Sequence, residues 1–300
     1  MFSNCNTTEL ISRFVGSFMI LTASNGLFVN ILMFFRFLSL ERSSFYLLCA
    51  SKTVSNSVIC LIYLTYIGPT HLLHSTLGSE TLSKYINQAH GNGLYLLGSM
   101  TQLLITTNRF LAVWIPFTYT PKYSIQVTVV ALAVAWIWMF WYSTLWGLPE
   151  HCLVKFNFFN EYTSSPCYLR LSYSLVSMLL LFTATTHSIN LVIALKLIWH
   201  SKKCRLSSEA ARKRRRASIR FFLQSCCQDW IVLLDVLNNV GSNVLCESRS
   251  CVTMVTLAVD STTCLVDGLV MFVFNRREDV RMRWKRSTAS GNVSAFTVSK

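Results

Sequence analysis

Apolar residues in this chain come in long blocks, with polar residues gathered between them and on narrow faces within them. Seven blocks stand out, at about 14–36, 45–68, 87–112, 125–148, 170–198, 218–244 and 252–274. Each reaches the roughly 20 residues that cross a hydrocarbon core of ~30 Å. Inside the third block, Gln88, Asn92, Tyr95, Ser99, Gln102, Thr106 and Arg109 recur at alternating steps of four and three, on one face of an α-helix. Leu94, Leu96, Leu97, Met100, Leu103, Leu104 and Ile105 fill the rest. A soluble helix carries an apolar stripe on a polar body, whereas this one carries a polar stripe on an apolar body. The pattern predicts a membrane helix that turns its stripe toward something wet or polar. Thr253, Thr256, Asp260, Thr263 and Asp267 give the seventh block a similar inward stripe.

Composition supports the same class. Of 300 residues 52% are hydrophobic and 13% charged, with mean hydropathy +0.44, against roughly 25% charged in soluble chains. No repeat and no low-complexity linker divides the chain, so one helical bundle over 14–276 is expected, with a short tail at 1–13 and a basic tail at 277–300. The opening MFSNCNTTELIS lacks a basic n-region and a small-residue cleavage site, so the first block is expected to act as its own insertion signal.

Charge placement sets the expected orientation. With the N-terminus outside, 21 Lys and Arg fall on the inner side, five on the outer side, and Lys52 lies within the second block. The excess of inner cations is the signature of an N-out, C-in protein. Asn6, in the sequon Asn6-Thr7-Thr8, then becomes a candidate for glycosylation. The net charge of +14 is explained by this asymmetry and by attraction to anionic inner-leaflet lipid. RKRRR at 212–216 would suggest nucleic acid in a soluble chain; beside seven spans no nucleic-acid partner is expected. The stretch 202–220 reads as a basic helix extending below the membrane, with Ser208 as N-cap and Glu209 in its first turn. Cys204 there is a weak candidate for palmitoylation and Ser218 resembles a basophilic kinase site.

Several chemistries are excluded or disfavoured. No lysine stands in 252–274 to form a retinal Schiff base, and the Tyr-Asp and Gly-x-Gly-Asp signatures of intramembrane aspartyl proteases are absent. No phosphate-binding loop or nucleophilic triad is present, His71 and His74 lack a third metal ligand, and neither metal nor cofactor is expected. The polar lining of the third block keeps a transporter or channel as the rival reading, although seven unrepeated spans without broken-helix Gly/Pro pairs speak against it.

The third block ends in Asn108-Arg109-Phe110 with Pro116 seven residues after the arginine. This resembles the Asp-Arg-Tyr motif of rhodopsin-like G-protein-coupled receptors, with Asn108 and Phe110 in place of the acid and the tyrosine. The wider pattern resembles nematode serpentine chemoreceptors of the Srx type. It is carried by Gly26-xxx-Asn30, Ser44-Phe45-Tyr46-Leu47-Leu48-Cys49 with Ser55-Asn56, the pair Cys152 and Cys167, and Met271-Phe272-Val273-Phe274-Asn275-Arg276. The resemblance implies an all-α seven-helix chemosensory receptor in the plasma membrane of a sensory cell. It would bind a small-molecule or peptide ligand, couple to a heterotrimeric G protein and perform no covalent chemistry. Coupling and activation would involve Asn108, Arg109, Phe110 and Pro116. Two departures weaken carry-over of mechanism: no cysteine lies between Cys60 and Cys152, and Asp267-Gly268-Leu269-Val270-Met271 stands where Asn-Pro-x-x-Tyr might.

On that fold, Gln88, Asn92, Tyr95 and Ser99 are candidate ligand contacts, joined by Asp235, Asn239 and Asp260. Lys52 and Asp267 come to matching depth, roughly 12 and 10 Å from the inner ends of their spans at 1.5 Å per residue, and are expected to form a buried ion pair. Asp229 and His187 also come to similar depths and are candidate partners. A Cys152–Cys167 bridge would close a loop worth about 3 kcal/mol of chain entropy, and Cys246 with Cys251 could pair likewise, leaving Cys5 over.

Overall fold

The computed structural model describes residues 3–40, 43–75, 77–115, 121–143, 166–203, 209–246 and 249–294. Within them lie seven continuous helical rods. These are α1 (Ser3–Ser39), α2 (Ser44–Ile62, running on through Tyr63–Ile67 and Gly68–Leu73), α3 (Glu80–Asn87, Gln88–Leu94 and Tyr95–Trp114), α4 (Pro121–Trp141), α5 (Pro166–Lys203), α6 (Glu209–Leu245) and α7 (Arg249–Ser294). No strand occurs among the described residues. Pro116, Cys152, Cys204 and Ser208 lie outside them, as do the side chains of Asn6, Asn92 and Ser218.

Local chemistry explains where the rods begin and bend. Ser43 and Ser79 accept from Tyr46 N and Leu82 N, each at 3.2 Å, capping the first turns of α2 and α3. Pro121 and Pro166 open α4 and α5, where a missing N–H removes no helical bond. His74 ends α2 in the left-handed region at φ 48°. Pro69 cannot donate to the turn behind it, and the wider π-turn at Tyr63–Ile67 takes up the mismatch just before it. A second π-turn at Gln88–Leu94 contains Gly91 and Gly93 and interrupts α3.

Helix α3 is central: it packs against α2, α4, α5 and α6, while α1 packs on α2 and α7 and α6 packs on α7. Backbones of α1 and α2 approach closely at Gly16 and Gly68, where a Cβ on Gly16 would stand 2.4 Å from Leu72 N. The bundle is inverted relative to a soluble protein. Phe14, Phe28, Phe35, Val130, Ile137, Phe140, Leu181 and Leu191 face outward, while Asn30, Lys52, Asn56, Gln102, Gln224, Gln228, Asp229 and Asp267 are buried. Hydrocarbon accepts the first set, and only partners inside the bundle can satisfy the second.

Among the described residues, five helices are long and apolar enough to cross a membrane: those within α1, α2, α4, α5 and α7. The remaining two, α3 and α6, carry much of the polar load of the interior, including Gln102, Asn108, Arg109, Gln224, Gln228, Asp229 and Asp235. Their lower hydropathy follows from their place in the bundle and not from a different fold.

Candidate functional site

The polar residues of α3 divide into three levels. At the level farthest from Arg109, Tyr95 Oη donates to Asp235 Oδ2 at 2.6 Å. Asn239 Nδ2 reaches Tyr95 Oη at 3.2 Å and Asp260 Oδ1 at 3.3 Å, and Tyr63 Oη lies 3.5 Å from Asp260 Oδ2. Helices α2, α3, α6 and α7 are thereby joined by two phenols, one amide and two carboxyl groups. His90, carried inward by the π-turn, sets its ring 5.0 Å from that of Tyr63, edge to face. Gln88 is buried at the same end.

One level down, Lys52 Nζ lies 3.0 Å from Asp267 Oδ1 and 2.6 Å from Gln102 Oε1. Asp267 also accepts from Gln228 Nε2 at 2.8 Å and from Asn56 Nδ2 at 2.7 Å. Gln102 then passes the contact on, donating to Asp229 Oδ1 at 2.5 Å and to Ser225 Oγ at 3.3 Å. Asn190 donates to the other oxygen of Asp229. Asn30 holds the far side, bonded to Gly26 O at 2.8 Å and Cys264 O at 3.1 Å. This network spans α1, α2, α3, α5, α6 and α7, with Gln102 at its centre.

The expected partnership of Asp229 with His187 is not formed. Both carboxylate oxygens are occupied by the amides of Gln102 and Asn190. The His187 ring instead lies 5.4 Å from that of Trp230, and its Nε2 has no hydrogen-bond partner among the described residues. An amide donor next to the carboxylate needs no protonation to bind it, whereas the imidazole had to reach across a gap. That gap is a small cavity of about 10 Å³, room for about one water, lined by Ser99, Gln102, Phe182, Thr183, Thr186, His187, Asp229 and Val232.

At the third level Arg109 is buried, its guanidinium 4.7 Å over the Phe45 ring, and none of its three nitrogens has a hydrogen-bond partner among the described residues. Phe45 also meets Phe221 of α6 at 4.7 Å and Tyr46 at 5.6 Å, closing this end between α2 and α6. Asn108 Oδ1 accepts from Ser44 Oγ at 3.0 Å, and Ser124 Oγ donates to that same hydroxyl at 2.8 Å. Phe110 stacks on Trp114 at 5.6 Å, and Lys196 Nζ sits 3.8 Å over the Trp114 ring.

Residues 20–275 match the family described as serpentine-type 7TM GPCR chemoreceptor Srx. The chain belongs to that family. Among solved structures it is similar to the crystal structure of squid rhodopsin, at TM-score 0.71 and 13% identity, covering 92% of this chain and 86% of that one. Identity this low speaks for the fold alone. No curated protein sequence matches the chain. The receptor is therefore a rhodopsin-like seven-helix membrane bundle of chemoreceptor type.

Of the residues singled out from sequence, Tyr95, Asp235, Asn239 and Asp260 meet in one network, Lys52 meets Asp267, and Ser99 lines the cavity. Cys246 and Cys251 are joined in a disulfide, and Cys167 is disulfide-bonded. Pattern reasoning passed over Tyr63, His90, Gln228, Thr183 and Thr186. Gln224 and Gln228 stand one turn apart and one position from Ser225 and Asp229, so an inward polar face on α6 was available as a signal. His90 carried none, because the π-turn rotates the helix out of the 3.6-residue register.

Proposed function

We propose that the receptor binds a small-molecule ligand in the half of the bundle around Tyr95, Asp235, Asn239 and Asp260. It would signal to a heterotrimeric G protein at the Arg109 end. The N-terminus faces outward and the C-terminal tail inward, in accord with the lysine and arginine asymmetry, in the plasma membrane of a sensory cell. Gln88, Asn92 and Ser99 are further candidate ligand contacts on α3. Asn108, Arg109, Phe110 and Pro116 belong to the coupling end. No covalent chemistry and no cofactor enter this scheme.

One observation carries the reading: a single helix, α3, holds polar contacts at every level from Tyr95 to Arg109, and each contact binds it to α6 or to a neighbour that touches α6. A ligand that favours a different placement of Tyr95 against Asp235 biases the same two helices whose other ends meet through Phe45 and Phe221. Differential affinity for two such arrangements shifts their populations. The buried guanidinium of Arg109, without a hydrogen-bond partner among the described residues, is costly where it stands, and parting of α2 from α6 would release it toward an acidic partner surface.

A second-messenger assay of Arg109→Ala in cells tests this. Ligand response is expected to disappear while ligand binding remains. Loss of binding would instead give Arg109 a structural role, and substrate accumulation without any G protein would favour a transporter.

A further inference from the structure

We propose that a phospholipid with an anionic headgroup binds the membrane-facing edge of α3 and α5 at the Arg109 end, its phosphate oxygens taken by Lys196. This lysine is the only Lys, Arg, Asp or Glu within the apolar span Tyr173–Trp199 of α5. Its side chain is half-buried, and Nζ lies 3.8 Å over the ring of Trp114, which itself stacks on Phe110. A ring face attracts the ammonium charge but is a far poorer acceptor of N–H bonds than an oxygen, so the donors of Nζ are left for oxygen to satisfy. The helices that Lys196 touches supply no carboxylate. After Glu80, at the opposite end of α3, no acidic residue occurs before Glu150, and none occurs from 162 to 208. Lys196 forms no ion pair among the described residues.

The neighbours of Lys196 mark headgroup depth. Trp199, three residues on and roughly 4.5 Å farther along the axis, is exposed, as are Trp114 at the end of α3 and Tyr123 in the first turn of α4. Tryptophan and tyrosine gather where hydrocarbon meets headgroups. A lysine at this level that merely snorkelled would extend away from the bundle, whereas Lys196 lies across the contact between α5 and α3. Val192, one turn deeper on the same face, is exposed and gives an acyl chain an apolar wall. Lys122 in the first turn of α4 and Lys202 and Lys203 in the last turn of α5 add positive charge at the same end. That surplus favours an anionic headgroup over a zwitterionic one. In the orientation proposed above, this end meets the leaflet that carries anionic lipid.

The test uses the full-length receptor in nanodiscs of phosphatidylcholine with one-tenth phosphatidylserine, with dibrominated acyl chains on one lipid or on the other. Bromine quenches tryptophan on contact, and subtracting the emission of Trp114→Phe isolates the signal of Trp114. Quenching of Trp114 by brominated phosphatidylserine is expected to exceed that lipid's one-tenth share by about three- to fivefold, the worth of one lysine near anionic lipid. Trp230, exposed on α6 and isolated in the same way, should show the one-tenth share. Lys196→Gln should bring Trp114 down to the Trp230 value, and Lys196→Arg should keep the enrichment. No enrichment at Trp114 would overturn the site, as would an equal enrichment at Trp230, one that survives Lys196→Gln, or one that is lost in Lys196→Arg. Nanodiscs carry the serine lipid in both leaflets, so the result does not depend on which end of the receptor faces inward, and a failure of the lipid site leaves the signalling reading to its own assay.

Discussion

Asp267→Asn is the sharpest single perturbation of the bundle. The asparagine keeps an oxygen for Gln228 or Asn56 but removes the charge that faces Lys52 Nζ at 3.0 Å. Both side chains are almost fully enclosed, at 3% and 4% exposure. At an effective dielectric of about 20, a unit pair at that distance attracts by roughly 5 kcal/mol. The substitution leaves the ammonium buried with Gln102 Oε1 as its remaining close oxygen, and breaking one half of a buried pair costs about 3–5 kcal/mol. That is a large part of the roughly 5–15 kcal/mol that holds a fold together. Lys52→Met should cost a similar amount, and the double variant Lys52→Met/Asp267→Asn should recover most of the loss, since no orphaned charge then remains. Thermal unfolding of the four proteins in nanodiscs gives the coupling energy directly. Additive losses within about 0.5 kcal/mol would mean that the two residues act independently, and the charge-compensation argument would fail.

Other outcomes follow from single contacts. Tyr95→Phe removes the donor 2.6 Å from Asp235 and should destabilise the receptor by about 1–3 kcal/mol, seen in the same melting assay. Gly16→Ala puts a methyl group 2.4 Å from Leu72 N, and because that atom is backbone the helices must part, at a cost of about 1–3 kcal/mol or more and with reduced surface expression. Cys251→Ser opens the bridge to Cys246 across five positions and should lower stability by about 2 kcal/mol on the loop-entropy account, seen in the same melting assay. Gln102→Leu should weaken the Lys52 and Asp229 contacts together, so its loss should exceed that of Asn190→Leu, which touches Asp229 alone.

Much of the bundle was legible in the chain because the bilayer constrains it so strongly. Seven apolar blocks, a polar face on the third and a lysine and an aspartate at equal depth in the second and seventh follow from hydropathy, the 3.6-residue period and a rise of 1.5 Å per residue. Those rules say which way a side chain points and how deep it lies. They hold for Gln102, Thr106 and Arg109, which are all buried. They stop at Gln88–Leu94, where the π-turn changes the period and brings His90 inward.

Which partner each buried group takes was a matter for the tertiary structure alone. Asp229 and His187 were at compatible depths, yet the carboxylate went to Gln102 and Asn190, because distance across three helices depends on their packing and not on position along any one of them. The same packing leaves the cavity beside Thr183 and His187, a space that no sequence pattern encodes. Sequence alone determined that the chain crosses a membrane as helices with polar groups turned inward, since apolar blocks of about 20 residues satisfy their backbone in hydrocarbon only as helices. The three-dimensional arrangement decided how those groups share their charges, since a buried charge is settled only by the atoms that actually reach it.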